Sequence, residues 1–164
     1  MNLQENIQRI NEIIFNDEKN FGYVVFVSGL ESTINHVGQT QIFTQNFTNK
    51  YPIKSFNYSN KNGIANFIKN NNIVAVILFS KGCELVSQIN VPSQKIYCIE
   101  PWNGNKTDAG TAYRYSSIPA GNMYIDYEDF NRGNGTKKGA NPTNHKNQHF
   151  AALASSSKSI AQKI

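Results

Sequence analysis

A serine directly follows the most apolar segment of the chain. Seven consecutive apolar residues, Ile73–Phe79, lead into Ser80-Lys81-Gly82. A serine at a sharp turn between a buried strand and a helix is the arrangement of a nucleophile elbow, in which the turn exposes the hydroxyl and the nearby glycine lets helix and strand approach closely. The pattern indicates Ser80 as a nucleophile for acyl transfer. The alternative is that Ser80 only caps the following helix.

Backbone amides near this serine are candidates for stabilising an oxyanion. The N–H of Lys81 belongs to the start of the predicted helix, where N–H groups point at developing negative charge. Upstream, a second apolar run ends at Gly29, so the N–H of Leu30 follows the end of another predicted strand. We therefore expect the Lys81 and Leu30 amides to form an oxyanion hole.

The sequence contains three histidines that qualify as a general base by residue type. His149, just before the apolar pattern of the C-terminal helix, is the first candidate, and His145, four residues earlier, is the reserve. His36 falls in the first helix after the predicted oxyanion loop, for which Ser32 or Thr33 is the predicted cap, and receives no role. The alternative for each histidine is a solvated position in a polar loop.

Carboxylates follow two predicted strands and are candidates for orienting the base. Asp126 lies nearest the end of the last predicted strand and ranks first, with Asp129 and Glu100 in reserve. The alternative for the acidic cluster after this strand is a solvated turn or a site for a hard cation, although no EF-hand spacing is present.

These features together resemble the α/β-hydrolase family. Residues 22–49 are similar to that family's strand, oxyanion loop and first helix, and residues 73–89 to its nucleophile strand, elbow and following helix. The resemblance implies a small, lidless serine hydrolase that acts on an ester-like or other acyl substrate through Ser80, His149 and Asp126. Leu78 stands where the family has a small residue, and Ser28 where it has the histidine of a His-Gly pair. These two departures favour the alternative, which is a non-catalytic binding or assembly protein of the same architecture. A viral protein is one example of this alternative.

The apolar pattern predicts the elements that would position these residues. Strands over 22–29, 52–58, 73–79, 95–99 and 122–127 alternate with helical patterns, and helices over 3–15 and near the C-terminus enclose them. Strands without polar alternation are typical of parallel sheets covered on both faces. We predict one α/β domain over residues 1–164: a three-layer sandwich with a largely parallel sheet of about five or six strands, helices on both faces, and long loops over 102–120 and 131–148.

Composition argues against several other classes of protein. The net charge is +5, but residues 1–100 contain eight Lys/Arg against seven Asp/Glu, and no basic stripe forms, so nucleic acid is not the expected partner. No apolar run reaches the roughly 18 residues of a membrane span, and the N-terminus lacks a signal-peptide pattern, so we expect a cytoplasmic protein. Cys83 and Cys98 show no metal-site spacing, and no nucleotide motif is complete. We expect no cofactor and no metal. The expected partner is a small acyl substrate, and the oligomeric state stays open.

Overall fold

The computed structural model describes residues 2–20, 22–31, 33–101, 115–125, 128–129, 136–137 and 142–164. Four α-helices are described: α1 (Leu3–Asn20), α2 (His36–Asn46), α3 (Lys61–Asn70) and α4 (Pro142–Lys163). The strands are β1 (Tyr23–Ser28), β2 (Ile53–Asn57), β3 (Ile73–Phe79), β4 (Ile96–Ile99), β5 (Met123–Tyr124), β6 (Glu128–Asp129) and β7 (Thr136–Lys137). Three short 3-10 helices cover Ser80–Gln88, Ser93–Lys95 and Ala120–Asn122.

The main sheet has five strands, all parallel, in the order β2-β1-β3-β4-β5. The chain first places β2 beside β1 and then crosses over to build β3, β4 and β5 on the other side of β1. The direction of winding therefore reverses between β1 and β3, and open α/β sheets bind ligands outside the carboxyl ends of strands at such a point. The predicted α/β class with a largely parallel sheet is confirmed. Strands β6 and β7 form a separate antiparallel pair.

Each face of this sheet is buried under its own hydrophobic cluster. Val25 and Val27 of β1 pack on the side of α3 and the 3-10 helix Ser80–Gln88. Val24 and Phe26 of the same strand pack on the side of α2 and α4. Because successive side chains of a strand point to opposite faces, a strand that is apolar at every position fills both clusters. The described residues therefore form the expected three layers, with helices on both faces.

Several element boundaries differ from the sequence expectation. Helix α2 begins at His36 and is capped by Asn35, whose Oδ1 accepts the Gly38 N–H at 2.8 Å, and the predicted cap was Ser32 or Thr33. Strand β5 has only two residues, since only Met123 and Tyr124 find partners on β4. Helix α4 begins at Pro142, within the predicted loop 131–148, and proline at the first helical position has its φ already set for a helix.

No helix among the described residues combines the length and the apolar character that crossing a bilayer requires. The longest of them, α4, has 22 residues and mixes charged, polar and small apolar side chains.

Candidate active site

Ser80 is the turning point between β3 and the 3-10 helix Ser80–Gln88. Its φ is +54°, in the left-handed region that costs a residue with a Cβ about 1–2 kcal/mol. The capping position of this helix is Phe79, and no side-chain hydrogen bond caps it. Ser80 therefore makes the sharp turn of an elbow and does not act as a helix cap. Non-glycine residues held in this region cluster at functional sites.

Two glycines bring the end of β1 against this turn. A Cβ on Gly82 would lie 2.9 Å from the carbonyl oxygen of Val27 and 3.2 Å from that of Ser28. A Cβ on Gly29 would lie 2.8 Å from the Cβ of Ser80 and 3.2 Å from the amide nitrogen of Lys81. Real Cβ atoms do not approach this closely, so only glycine fits at either position. The loop after β1 thus touches the turn at Ser80.

A buried glutamine holds the loop that follows β1. Gln39 is fully buried, and its Oε1 accepts the Gly29 N–H at 2.8 Å. Its Nε2 donates to the carbonyl oxygens of Ile34 at 2.8 Å and Leu30 at 3.3 Å. Because the Gly29 amide is committed to Gln39, the Leu30 amide is the better donor for an oxyanion. Sequence reasoning missed Gln39, although its position four residues before Phe43 places it on the buried face of α2.

Glu100 makes a second left-handed turn, at the end of β4. Its φ is +47°, and its side chain is fully buried. Phe79 pairs with Ile99 across β3 and β4, so Ser80 and Glu100 are the next residues on adjacent strands. The Glu100 N–H donates to the Tyr124 carbonyl oxygen at 2.8 Å, which ties this turn to β5. A buried carboxylate beside a candidate nucleophile is typical of an active site.

The first-choice histidine lies near the elbow, on α4. His149 is buried, and its ring centroid is 4.6 Å from that of Phe79, the residue before Ser80. Within the described residues no hydrogen bond joins Ser80 Oγ to a histidine. Catalytic hydrogen bonds are often loose before substrate binds, so His149 stays a candidate base.

The other predicted candidates are Asp126, Asp129 and His145. Asp126, the first-choice carboxylate, lies outside the described residues. Asp129 belongs to β6, and His145 belongs to the first turn of α4.

The histidine without a predicted role has a close hydroxyl partner. The Nδ1 atom of His36 lies 2.7 Å from the Oγ of Ser28, which is fully buried. Because no part of Ser28 reaches solvent, it orients the imidazole and is not itself a nucleophile. The only sequence signal for this pair was a polar residue at the end of an apolar strand.

Cys83 lies directly beneath the elbow but is not a nucleophile. It is fully buried, and its Sγ donates to the carbonyl oxygen of Leu78 at 3.2 Å. Burial, with the neighbouring Cys98 as the next cause, raises the pKa of the Cys83 thiol well above its ordinary value. The thiol therefore stays protonated, and thiols react as thiolates. Among the described residues no three His, Cys, Asp or Glu side chains form a metal-binding group.

Comparison with known protein families, curated proteins and solved structures gave no match to this chain. The resemblance to α/β-hydrolases therefore rests on the residues themselves and stays a prediction. Four features lie at one edge of the sheet in the described residues: a strained serine, two close glycine contacts, a loop after β1 that Gln39 fixes by hydrogen bonds, and a buried carboxyl group. That set of groups is suited to nucleophilic attack on a carbonyl carbon.

Proposed function

We propose that this protein is a serine hydrolase that transfers an acyl group to water, with Ser80 as the nucleophile. The observation that carries the proposal is the positive φ of Ser80 at the carboxyl end of β3, with Gly29 packed against it. In a nucleophile elbow such a turn holds the serine hydroxyl beside backbone amides, as acyl transfer requires.

In the proposed reaction Ser80 Oγ attacks the carbonyl carbon of an ester-like substrate while His149 removes the hydroxyl proton. The Lys81 and Leu30 amides donate to the resulting oxyanion, and one such donor is typically worth about 10²–10³ in kcat. His149 returns the proton to the leaving alcohol, and an acyl-enzyme forms. Water then attacks the acyl-enzyme with the same base, which releases the acid and restores Ser80.

Two carboxylates compete for the role of orienting His149. Asp126 has the position that the chain order of the resemblance implies, whereas Glu100 is buried next to Ser80. Loss of the orienting carboxylate lowers kcat by about 10⁴ in serine proteases. Of Asp126→Asn and Glu100→Gln, the variant with the larger loss of kcat identifies the acid. Asp126 remains the first choice and Glu100 the reserve.

A fluorophosphonate probe tests the proposal because it reacts with activated serines. We expect the folded protein to be labelled at Ser80, with labelling lost in Ser80→Ala and lost on unfolding in urea. The matched control is Ser87→Ala, since Ser87 is an exposed serine of the 3-10 helix that follows β3. Labelling that persists in Ser80→Ala would remove the nucleophile assignment.

One observation favours the second candidate, a non-catalytic binding or assembly protein built on the same scaffold. In the described part of the chain, Ser80 Oγ has no histidine within hydrogen-bonding distance. If the folded protein is inert to the probe over a wide pH range, this candidate is the better one.

The proposal also includes a cytoplasmic location. Cys83 and Cys98 are both free and buried, and free thiols persist in reducing compartments. Fractionation of the source cells, with detection of the protein in the soluble cytoplasmic extract, tests this part.

A further inference from the structure

A polar cavity of about 490 Å³ opens at the carboxyl ends of β1 and β2. It is lined by residues of the loop after β1, the start of α2 and the loop after β2: Leu30, Glu31, His36, Asn57, Tyr58 and Ser59. Leu30 follows Gly29, whose Cα packs against Ser80. The cavity and the elbow therefore share one loop.

One tautomer of the neutral His36 ring satisfies both contacts of Ser28. Ser28 Oγ lies 2.7 Å from His36 Nδ1 and 3.4 Å from the carbonyl oxygen of Phe56. The hydroxyl has one proton, and a carbonyl can only accept. Both contacts are hydrogen bonds only if His36 Nδ1–H donates to Ser28 and Ser28 donates to Phe56. This assignment leaves Nε2 as an acceptor, on the ring edge away from the buried serine.

Several donors around the cavity are used within the protein. Glu31 Oε1 accepts the His36 backbone N–H at 2.8 Å and the Asn57 Nδ2–H at 3.3 Å. Asn57 Oδ1 accepts the backbone N–H of Ser59 at 2.9 Å and its hydroxyl at 2.7 Å. The groups that remain for a ligand include the Leu30 N–H as a donor and three acceptors: the second carboxylate oxygen of Glu31, His36 Nε2 and the lone pairs of Ser59.

We propose that this cavity binds a primary ammonium group. An ammonium has three donors, no acceptor and a positive charge, so it matches three acceptors of which one is a carboxylate. A phosphate or carboxylate ligand would be repelled by the like charge of Glu31. If the ammonium belongs to the acyl substrate, that link rests on the hydrolase proposal, whereas binding of the ammonium does not.

The ring of Tyr58 shows that a cation is tolerated beside this cavity. The ammonium of Lys81 lies 5.7 Å from the centroid of the Tyr58 ring, within the range of a cation–π interaction. The positive charge of Lys81 beside Tyr58 opposes a second ammonium in the cavity. Replacing Lys81 with methionine should tighten binding.

The test uses n-butylammonium chloride as the probe and the imidazole signals of His36 in proton–carbon NMR spectra as the readout. We expect a saturable shift in the unmodified protein and a weaker response to 1-butanol. Glu31→Gln should weaken n-butylammonium binding about tenfold, since a charged hydrogen-bond partner becomes neutral. Its amide oxygen still accepts both internal bonds, so the loop is retained. The matched control is Glu5→Gln, which makes the same change from carboxylate to carboxamide at an exposed position of α1 and should leave binding unchanged.

The outcomes separate this inference from the hydrolase proposal. Equal affinity in the unmodified protein and Glu31→Gln, or no saturable shift at all, overturns the ammonium site. Ser80→Ala should bind n-butylammonium as the unmodified protein does, because it keeps every cavity residue. If the protein binds n-butylammonium but is not labelled by the fluorophosphonate, the hydrolase proposal is refuted and the ammonium site is retained. If the protein is labelled but does not bind n-butylammonium, the ammonium site is refuted and the hydrolase proposal is retained. Tighter binding in Lys81→Met supports the site independently of Glu31.

Discussion

Glycine at position 80 should give a more stable protein than alanine at the same position. Both substitutions remove the hydroxyl, but alanine keeps the Cβ that makes φ = +54° unfavourable. Relief of that conformation is worth about 1–2 kcal/mol, and the greater freedom of glycine in the unfolded chain costs about 0.4–1 kcal/mol. The difference leaves Ser80→Gly ahead of Ser80→Ala by roughly 0.5–1 kcal/mol.

The measurement is urea unfolding of both variants, followed by circular dichroism, with equal slopes required before midpoints are compared. The same pair of substitutions at Ser87 is the control, because this residue is exposed in the same 3-10 helix with a negative φ. There glycine should be the less stable by about 0.5–1 kcal/mol. An advantage of alanine at both positions would mean that residue 80 is not strained, and the elbow would lose its main support.

Three further outcomes follow from buried contacts near the elbow. Gly82→Ala should destabilise the fold by about 1–3 kcal/mol in urea unfolding, because the new Cβ would collide with the backbone carbonyl oxygens of β1. The control Gly121→Ala should change stability by less than about 0.5 kcal/mol, since no atom lies within 4 Å of a Cβ at that position. Gln39→Glu should cost at least about 2 kcal/mol and slow fluorophosphonate labelling, since a carboxylate cannot donate to two carbonyls; unchanged labelling would separate this residue from the site. The raised pKa of Cys83 means that the unfolded thiol ionises first, so its contribution to stability is complete below the ordinary pKa and declines as the pH rises above it. Iodoacetamide should therefore spare Cys83 in the folded protein near pH 8.5 and modify it in urea, and rapid modification of the folded protein would contradict its burial.

The strands were predictable because burial on both faces leaves an unbroken apolar run. Ile73–Phe79 was located to the residue, since glycine- and asparagine-rich segments and a polar turn flank it. The nucleophile candidate followed from the same run, because its position depends only on where the strand stops. The two glycine contacts were also accessible in part, as glycine directly after a buried strand indicates close approach.

The rest of the site depends on strand order, which local sequence does not determine. Glu100 is next to Ser80 only because β4 pairs with β3, and its left-handed turn carries no glycine to mark it. Likewise, His36 reaches Ser28 because α2 is capped by Asn35, two residues after the nearest predicted cap. Gln39 was missed because glutamine on a helix is usually exposed, and only the folded loop shows that its amide replaces three missing backbone partners.

The coincidence of two left-handed residues at adjacent strand ends bears on whether this edge is catalytic or merely structural. Each costs about 1–2 kcal/mol, which is a substantial part of a net stability of about 5–15 kcal/mol. Glycine at either position would remove that cost. A turn by itself would be served by glycine at both positions. The proposed acyl transfer would account for the strain, because it requires a nucleophile fixed beside amide donors and a charge that holds the base.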